Sequence, residues 1–213
     1  MNVIIFGPPG SGKGTQSQNI IDKFNLQQIS TGDLLRIEIK QKTEVGKKIE
    51  KIISQGELVN DKIVNKLLKK VVTNPDFRNR IIFDGYPRNI DQAKILELML
   101  NEDNQLINFI LFLNVTKELI EKRILGRILC GKCNKIMNEY LNKEEINNHT
   151  CGKNYLKKRK DDNQKTIITR YEKYIKKTKP VLDFYSSRSS FYEIDGSQEI
   201  QVITDEIEQI LTV

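Results

Sequence analysis

The chain has 213 residues, 30% of them charged, with a formal net charge of +7, three cysteines and one histidine. That length holds one full core with small inserted parts and excludes two large domains. No apolar run approaches the roughly 18 residues of a membrane span, and the N-terminus enters a strand without a basic leader, so a cytoplasmic protein without signal peptide or membrane anchor is expected.

Val3 to Phe6 is a short apolar run that reads as a buried strand, and it leads directly into Gly7-Pro8-Pro9-Gly10-Ser11-Gly12-Lys13. This is the G-x-x-x-x-G-K pattern with a strand before it and a helix after it. Its glycines let backbone N–H groups converge on phosphate oxygens, the helix starting near Lys13 aims its N-terminal dipole at the same anion, and the lysine reaches the β and γ phosphates. Gly10, Ser11, Gly12, Lys13, Gly14 and Thr15 are therefore candidate nucleotide-phosphate ligands. Gly14 stands where the usual motif has Ser or Thr, which leaves Thr15 as the nearest hydroxyl.

Ile20, Ile21 and Phe24 give the following helix an apolar face to about Asn25. Gln28-Ile29-Ser30 is the next unit of the core, and Thr31-Gly32-Asp33-Leu34-Leu35-Arg36 reads as a turn and helix start capped by Thr31 or Asp33. From there to about Leu68 the pattern is helical, broken at Gly46 and Gly56, and reads as a small insertion without a strand. Ile81 to Phe83 is a second buried strand. Asp84 at its C-terminal end occupies the place where α/β sheets keep ligands and where an acidic residue holds the waters of Mg2+; a turn cap is the plainer alternative. Gly85 and Pro87 shape a turn from which Arg88 emerges on the ligand side, ahead of a helix from about Ile90. Phe109 to Leu113, the most continuous apolar run, reads as a central parallel strand. The helix from Lys117 is expected to carry Arg123 and Arg127 four apart on one face, where either solvent or a polyphosphate would relieve their repulsion.

From Gly126 to about Gln164 the chain is polar and turn-rich, with no evident core of its own. It holds Cys130, Cys133, His149 and Cys151. An odd number of crowded thiols disfavours a complete disulfide set, and C-x-x-C followed by a third cysteine has the spacing of a structural zinc site. Redox-active or merely buried thiols are the alternative. The fourth ligand is open between His149 and Asn154, the latter a poor zinc ligand. The charge of the chain is concentrated next to this segment: between Lys153 and Lys179 stand eleven basic and three acidic residues, a local +8. Such a concentration suits a site that closes over several phosphates as well as it suits nucleic acid. Arg159-Lys160-Asp161-Asp162 is a compact mixed-charge group, and Arg170 lies on an apparent helix to Lys179 whose register Pro180 disturbs. Phe191 to Ile194 is a further strand, and Ile203, Ile207, Ile210 and Leu211 form the stripe of a closing helix.

Alternating strands and helices with the phosphate loop first describe a three-layer α/β fold around a mostly parallel sheet. No His or Cys nucleophile lies near the loop, whereas Lys13, Asp84 and several arginines remain. Phosphoryl transfer needs little more, because it is catalysed largely by positioning and charge stabilisation.

The stretches GPPGSGKGTQ, TGDLLR, DGYPR, RILGR and RKDDN, in this order and spacing, resemble the adenylate kinase family of nucleoside monophosphate kinases in its bacterial long-lid form, over the whole chain. The resemblance implies a P-loop NTPase fold with a five-stranded central sheet, divided into a core of residues 1–29, 61–125 and 164–213, an AMP-binding insertion 30–60 and a cysteine-bearing lid 126–163. It implies the reaction ATP + AMP ⇌ 2 ADP with Mg2+, a structural Zn2+ in the lid, ATP, AMP and ADP as partners, no nucleic acid or membrane, and a monomer. ATP is assigned by resemblance to Gly10 through Thr15, Arg123, Arg127 and Gln198. AMP is assigned to Thr31, Arg36, Gly56, Glu57, Val59, Gly85, Arg88, Gln92, Arg159 and Arg170. Lys13, Asp84, Arg88, Arg123, Arg127, Arg159 and Arg170 take catalytic roles, and Asp161 and Asp162 roles in lid closure. Three positions depart from the family pattern: Tyr86 replaces Phe in DGFPR, Ser197-Gln198-Glu199 replaces a Thr-Lys stretch near the adenine, and Asn154 stands where the metal-bearing lids have Cys or Asp. The rival readings are a sister kinase acting on UMP or CMP, a nucleotide-binding regulator or switch, and a nucleic-acid-binding protein. The long lid and the residues at positions 31, 36 and 92 favour AMP over UMP or CMP.

Overall fold

The computed structural model describes residues 1–212 except Asn142 and Lys160; Val213, and Lys160 of the mixed-charge group, thus lie outside the described residues. In chain order the first half comprises β1 (Val3–Phe6), α1 (Lys13–Ile21), β2 (Gln27–Ser30), α2 (Thr31–Lys40), α3 (Glu44–Ser54), α4 (Asp61–Val72), β3 (Ile81–Asp84) and α5 (Ile90–Glu102). The second half comprises β4 (Phe109–Asn114), α6 (Lys117–Leu125), β5 (Arg127–Cys130), β6 (Ile136–Asn138), α7 (Lys143–Asn147), β7 (Leu156–Lys157), α8 (Gln164–Lys173), α9 (Lys179–Tyr185), β8 (Phe191–Asp195) and α10 (Ile200–Leu211).

β1 is apolar at every position and buried at every position, as a strand covered on both faces must be. It pairs in parallel with β3 on one side and β4 on the other, Val3 standing opposite both Ile82 and Phe109. The sheet order is β2-β3-β1-β4-β8, parallel throughout. Alternation along β1 divides the core: Ile4 and Phe6 pack with Leu68 of α4, Leu96 of α5 and Tyr185 of α9, whereas Val3 and Ile5 pack with Ile20 of α1 and Ile203 and Ile207 of α10. The result is the expected α/β architecture, with a five-stranded parallel sheet between two helical layers. The C-terminal ends of β1, β2 and β3 release the phosphate loop, the start of α2 and the Asp84 turn on one edge of the sheet.

Several local expectations are corrected. The cap of α2 is Ser30, whose side chain accepts from Asp33 N at 3.3 Å, and neither Thr31 nor Asp33; the Thr31 hydroxyl donates instead to Gly85 O at 2.8 Å. Arg123 and Arg127 do not share a helix face. α6 stops at Leu125, and Arg127 opens a strand. The stop has a tertiary cause: Asn138 Nδ2 donates to Arg123 O at 2.9 Å, taking a carbonyl of the last helical turn, and any Cβ at Gly126 would collide with the Asn138 side chain and the Tyr140 ring. The cysteine-bearing stretch, read as polar and turn-rich, contains an antiparallel sheet of order β6-β5-β7, in which Arg127 faces Asn138. Between α8 and α9 the backbone widens into a π-helical turn, Tyr174–Thr178, just before Pro180, which has no N–H with which to continue an α-helical ladder.

Candidate functional site

A cavity of about 1350 Å³ lies at the C-terminal edge of the parallel sheet, between the phosphate loop, the start of α2, the Asp84 turn, α8 and the small antiparallel sheet. The loop enters it through Gly12, whose φ of 100° lies in the left-handed region that costs glycine least, and α1 begins at the next residue. Lys13 Nζ folds back over its own loop, donating to Gly7 O at 2.8 Å and Pro8 O at 2.9 Å. Burial pulls this ammonium down to about 8; the Asp84 carboxylate opposes the shift, and Arg88, Arg170 and Arg127 add to it. Asp84 also borders the cavity, and its Oδ2 accepts from Gln28 Nε2 of the neighbouring strand at 3.0 Å.

Arginines converge on this space from five parts of the chain. Arg36 comes from α2, Arg88 from the Asp84 turn, Arg127 and Arg159 from the segment with the small sheet, and Arg170 from α8. Arg123 Nη1 spans from Ser11 O at 3.2 Å to Gly196 O at 2.7 Å, tying the loop to the turn after β8. Arg127 makes a two-pronged bond to Asp162, whose side chain is 2% exposed; burial alone would lower this arginine, but the Asp162 bond and charge win and raise it. Arg170 Nη1 sits 3.3 Å from Asp161 Oδ2 and 3.5 Å from Asp162 Oδ1. Arg159 differs: its Nε is buried without a hydrogen-bond partner among the described residues. Burial first, then Arg127 and Arg36, hold its guanidinium down to about 10, while burial and Arg170 bring Arg88 to about 10. Arg88 and Arg159 thus remain charged at neutral pH, and a wall with so many arginines is suited to a polyanion.

Of the residues singled out in the sequence, Gly10 through Thr15, Arg36, Gly56, Asp84, Gly85, Arg88, Arg123, Arg127, Arg159, Arg170 and Gln198 line this one cavity. Thr31, Glu57, Val59, Gln92, Asp161 and Asp162 do not. Thr31 and Gln92 are buried and bond to the Asp84–Arg88 turn from behind, Val59 belongs to the core, and Glu57 pairs with Lys173 at 2.8 Å. Sequence reading passed over Gln28 and Lys173, which also line the cavity. Gln28 sits one strand from Asp84 in register with Ile82, a neighbourhood that only strand order reveals.

Cys130, Cys133, His149 and Cys151 form a second site, their donor atoms all within 4.8 Å of one another. Cys133 Sγ lies 3.6 Å from His149 Nε2. Burial would raise the Cys130 thiol, but hydrogen bonds from the Cys133 and Lys132 backbone and from His149 outweigh it and bring it down to about 6, toward the thiolate a metal takes. The group has four donors without Asn154, which sits on the short turn Lys153–Tyr155. Three thiols and an imidazole fit a closed tetrahedral zinc site.

The family model described as adenylate kinase matches residues 5–190. The chain is 58% identical to the adenylate kinase of Pelagibacter ubique (strain HTCC1062) over 213 residues, covering 100% of both chains. It is 40% identical to the adenylate kinase of Rickettsia africae (strain ESF-5) over 215 residues, with 100% of both covered, and 36% identical to that of Allorhizobium ampelinum over 214 residues, covering 100% of this chain and 99% of the relative.

Proposed function

This chain belongs to the adenylate kinase family, and from that premise we propose that it transfers the terminal phosphoryl group of MgATP reversibly to AMP, giving two ADP, by in-line displacement. The observation that carries the reading is the gathering of Lys13 and the arginines of five separate chain segments on the wall of one cavity. Two phosphorylated substrates meeting there bring the negative charge that so many cations require, and an acceptor phosphate needs no general base because it is already largely ionised near neutral pH.

In this reading residues 30–60 form the AMP-binding insertion, 126–163 the lid, and 1–29, 61–125 and 164–213 the core. Gly10 through Thr15 cradle the donor phosphates, with Lys13 on the β and γ oxygens and Arg123 holding the loop against the turn at Gly196. Gln198 borders the donor base. Arg36 and Arg88 hold the acceptor phosphate beside Gly56 and Gly85, and Thr31, Glu57, Val59 and Gln92 support that side from behind the wall. Arg127, Arg159 and Arg170 surround the group in transit, and Asp161 and Asp162 orient two of them. When the lid lies over the loop, water is kept from the phosphoryl group. Asp84, a hard oxygen donor facing the cavity, would hold Mg2+ through its waters; the ion supplies charge neutralisation for the phosphates. The Cys130, Cys133, Cys151 and His149 set would hold Zn2+, which supplies the fold of a segment that buries little apolar surface.

A coupled ADP assay with MgATP against AMP, UMP, CMP and GMP tests the assignment. Turnover confined to AMP is expected. Preference for UMP or CMP would move the protein to a sister activity, and absence of turnover with every acceptor would refute the proposal.

A further inference from the structure

The turn that delivers Arg88 is braced from the side away from the cavity by α4. Asp61, the first residue of that helix, accepts two hydrogen bonds: Oδ1 from Gln92 Nε2 at 2.6 Å and Oδ2 from Asn89 Nδ2 at 2.9 Å. Each of those amides is fixed at its other end. Asn89 Oδ1 caps α5 by accepting from Gln92 N at 2.8 Å, and Gln92 Oε1 accepts from Arg88 N at 2.7 Å. Neither amide can turn round without losing that second bond. Position 61 therefore faces two donors, and its side chain must accept at both ends; a carboxylate does so, and an amide offers one acceptor and one donor.

One helical turn further on, Asn65 Oδ1 accepts from the Tyr86 hydroxyl at 2.7 Å. Burial, and then the charge of Asp61, push the Tyr86 pKa upward, so this hydroxyl stays a donor. Here the extra oxygen of Tyr86, the departure from the family's phenylalanine, finds its partner. The rest of Arg88 is held as firmly: its O accepts from Thr178 Oγ1 at 3.0 Å and its Nε donates to Gly85 O at 2.7 Å.

We propose that Asp61 is a positioning residue for the reaction, locking the Gln92 amide so that it holds the Arg88 main chain and thereby aims the Arg88 guanidinium into the cavity. The inference rests on the proposed function only in giving Arg88 a phosphoryl group to act on. Asp61 itself does not line the cavity.

A charge-swap cycle tests it. Asp61→Asn sets two NH2 groups face to face and should lower kcat at saturating ATP and AMP by about tenfold or more, with the KM for ATP unchanged within about twofold. Gln92→Glu sets two carboxylates face to face and should also lower kcat. The double variant Asp61→Asn with Gln92→Glu restores every pairing, the new amide accepting from Asn89 and donating to the new carboxylate, and its kcat should recover well above either single variant. A kcat unchanged in Asp61→Asn, or a double variant no better than the singles, would overturn the inference. If Asp61→Asn does not fold, the double variant decides alone: kcat well above that of Gln92→Ala supports the inference, and a folded double variant as slow as Gln92→Ala refutes it. Hydrogen exchange at the Arg88 amide reads the same lock without any assay of activity. Faster exchange in Asp61→Asn supports the proposal and unchanged exchange contradicts it, even were the wild-type protein to form no ADP, a result that would sink the functional reading alone.

Discussion

The phosphate loop and the cysteine-bearing segment flank one cavity, yet they are held in place by different physics. The loop hangs between β1 and α1, whose Val3, Ile4 and Ile20 are fully buried and whose neighbours complete an apolar core on both faces of the sheet. The segment from 126 to 157 has three short strands and, among its described residues, only Gly126, Cys130, Met137 and Asn138 are buried. Hydrophobic burial can set the first region by itself; at about 25 cal/mol per Å² the second has too little apolar area and must rely on hydrogen bonds, ion pairs and its four clustered donors. In the proposed function the first region would bind and the lightly built second would close, admitting two substrates and then excluding water.

Substitutions can separate the two halves. Lys13→Met should lower turnover by about 10³-fold, since it removes the one ammonium of the loop, while leaving melting nearly unchanged; near-normal turnover would remove Lys13 from the site. Cys130→Ser should do the reverse, lowering melting temperature and zinc content together by loosening the small sheet, with the core transition retained in calorimetry. Unchanged melting and metal content would leave the thiols without a structural role. Asp162→Asn breaks a buried pair and takes from Arg127 the carboxylate it is bonded to, a cost of about 3 kcal/mol against the folded segment, read as faster proteolysis there with the parallel sheet still protected. The smallest effect is that of pH. Lys13 is charged below about pH 8 and loses its proton above it in the free protein. kcat/KM for ATP, which reports the free protein, should therefore fall about tenfold per unit above that pH, whereas kcat, measured with phosphates beside the ammonium, stays level. A kcat/KM flat to about pH 10 would show that the lysine is not lowered.

What was legible in the chain follows from range. Strand, phosphate loop and helix are contiguous from Val3 to Ile21, so residue order alone displays the feature that organises the fold, and the runs at Ile81 and Phe109 carry the continuous apolar signature of strands covered on both faces. Arg127 was misplaced onto a helix because the end of α6 depends on Asn138, a residue whose approach to Gly126 has no local signal. The small antiparallel sheet was missed for a related reason: its strands are two to four residues long and too short for an alternation to stand out. His149 could not be separated from Asn154 by spacing, and only the fold brings its Nε2 to Cys133. The brace formed by Asp61 was illegible because it links residues 28 and 31 positions apart through amides whose orientation other bonds determine.

The most direct measurement of the central claim compares nucleotide products with and without AMP. Purified protein with MgATP is followed by phosphorus NMR, first alone and then with equimolar AMP. The account predicts two ADP formed for each ATP consumed when AMP is present, and almost no release of inorganic phosphate in either sample. Phosphate release at a similar rate with and without AMP would contradict it, because the cavity would then be handing the phosphoryl group to water.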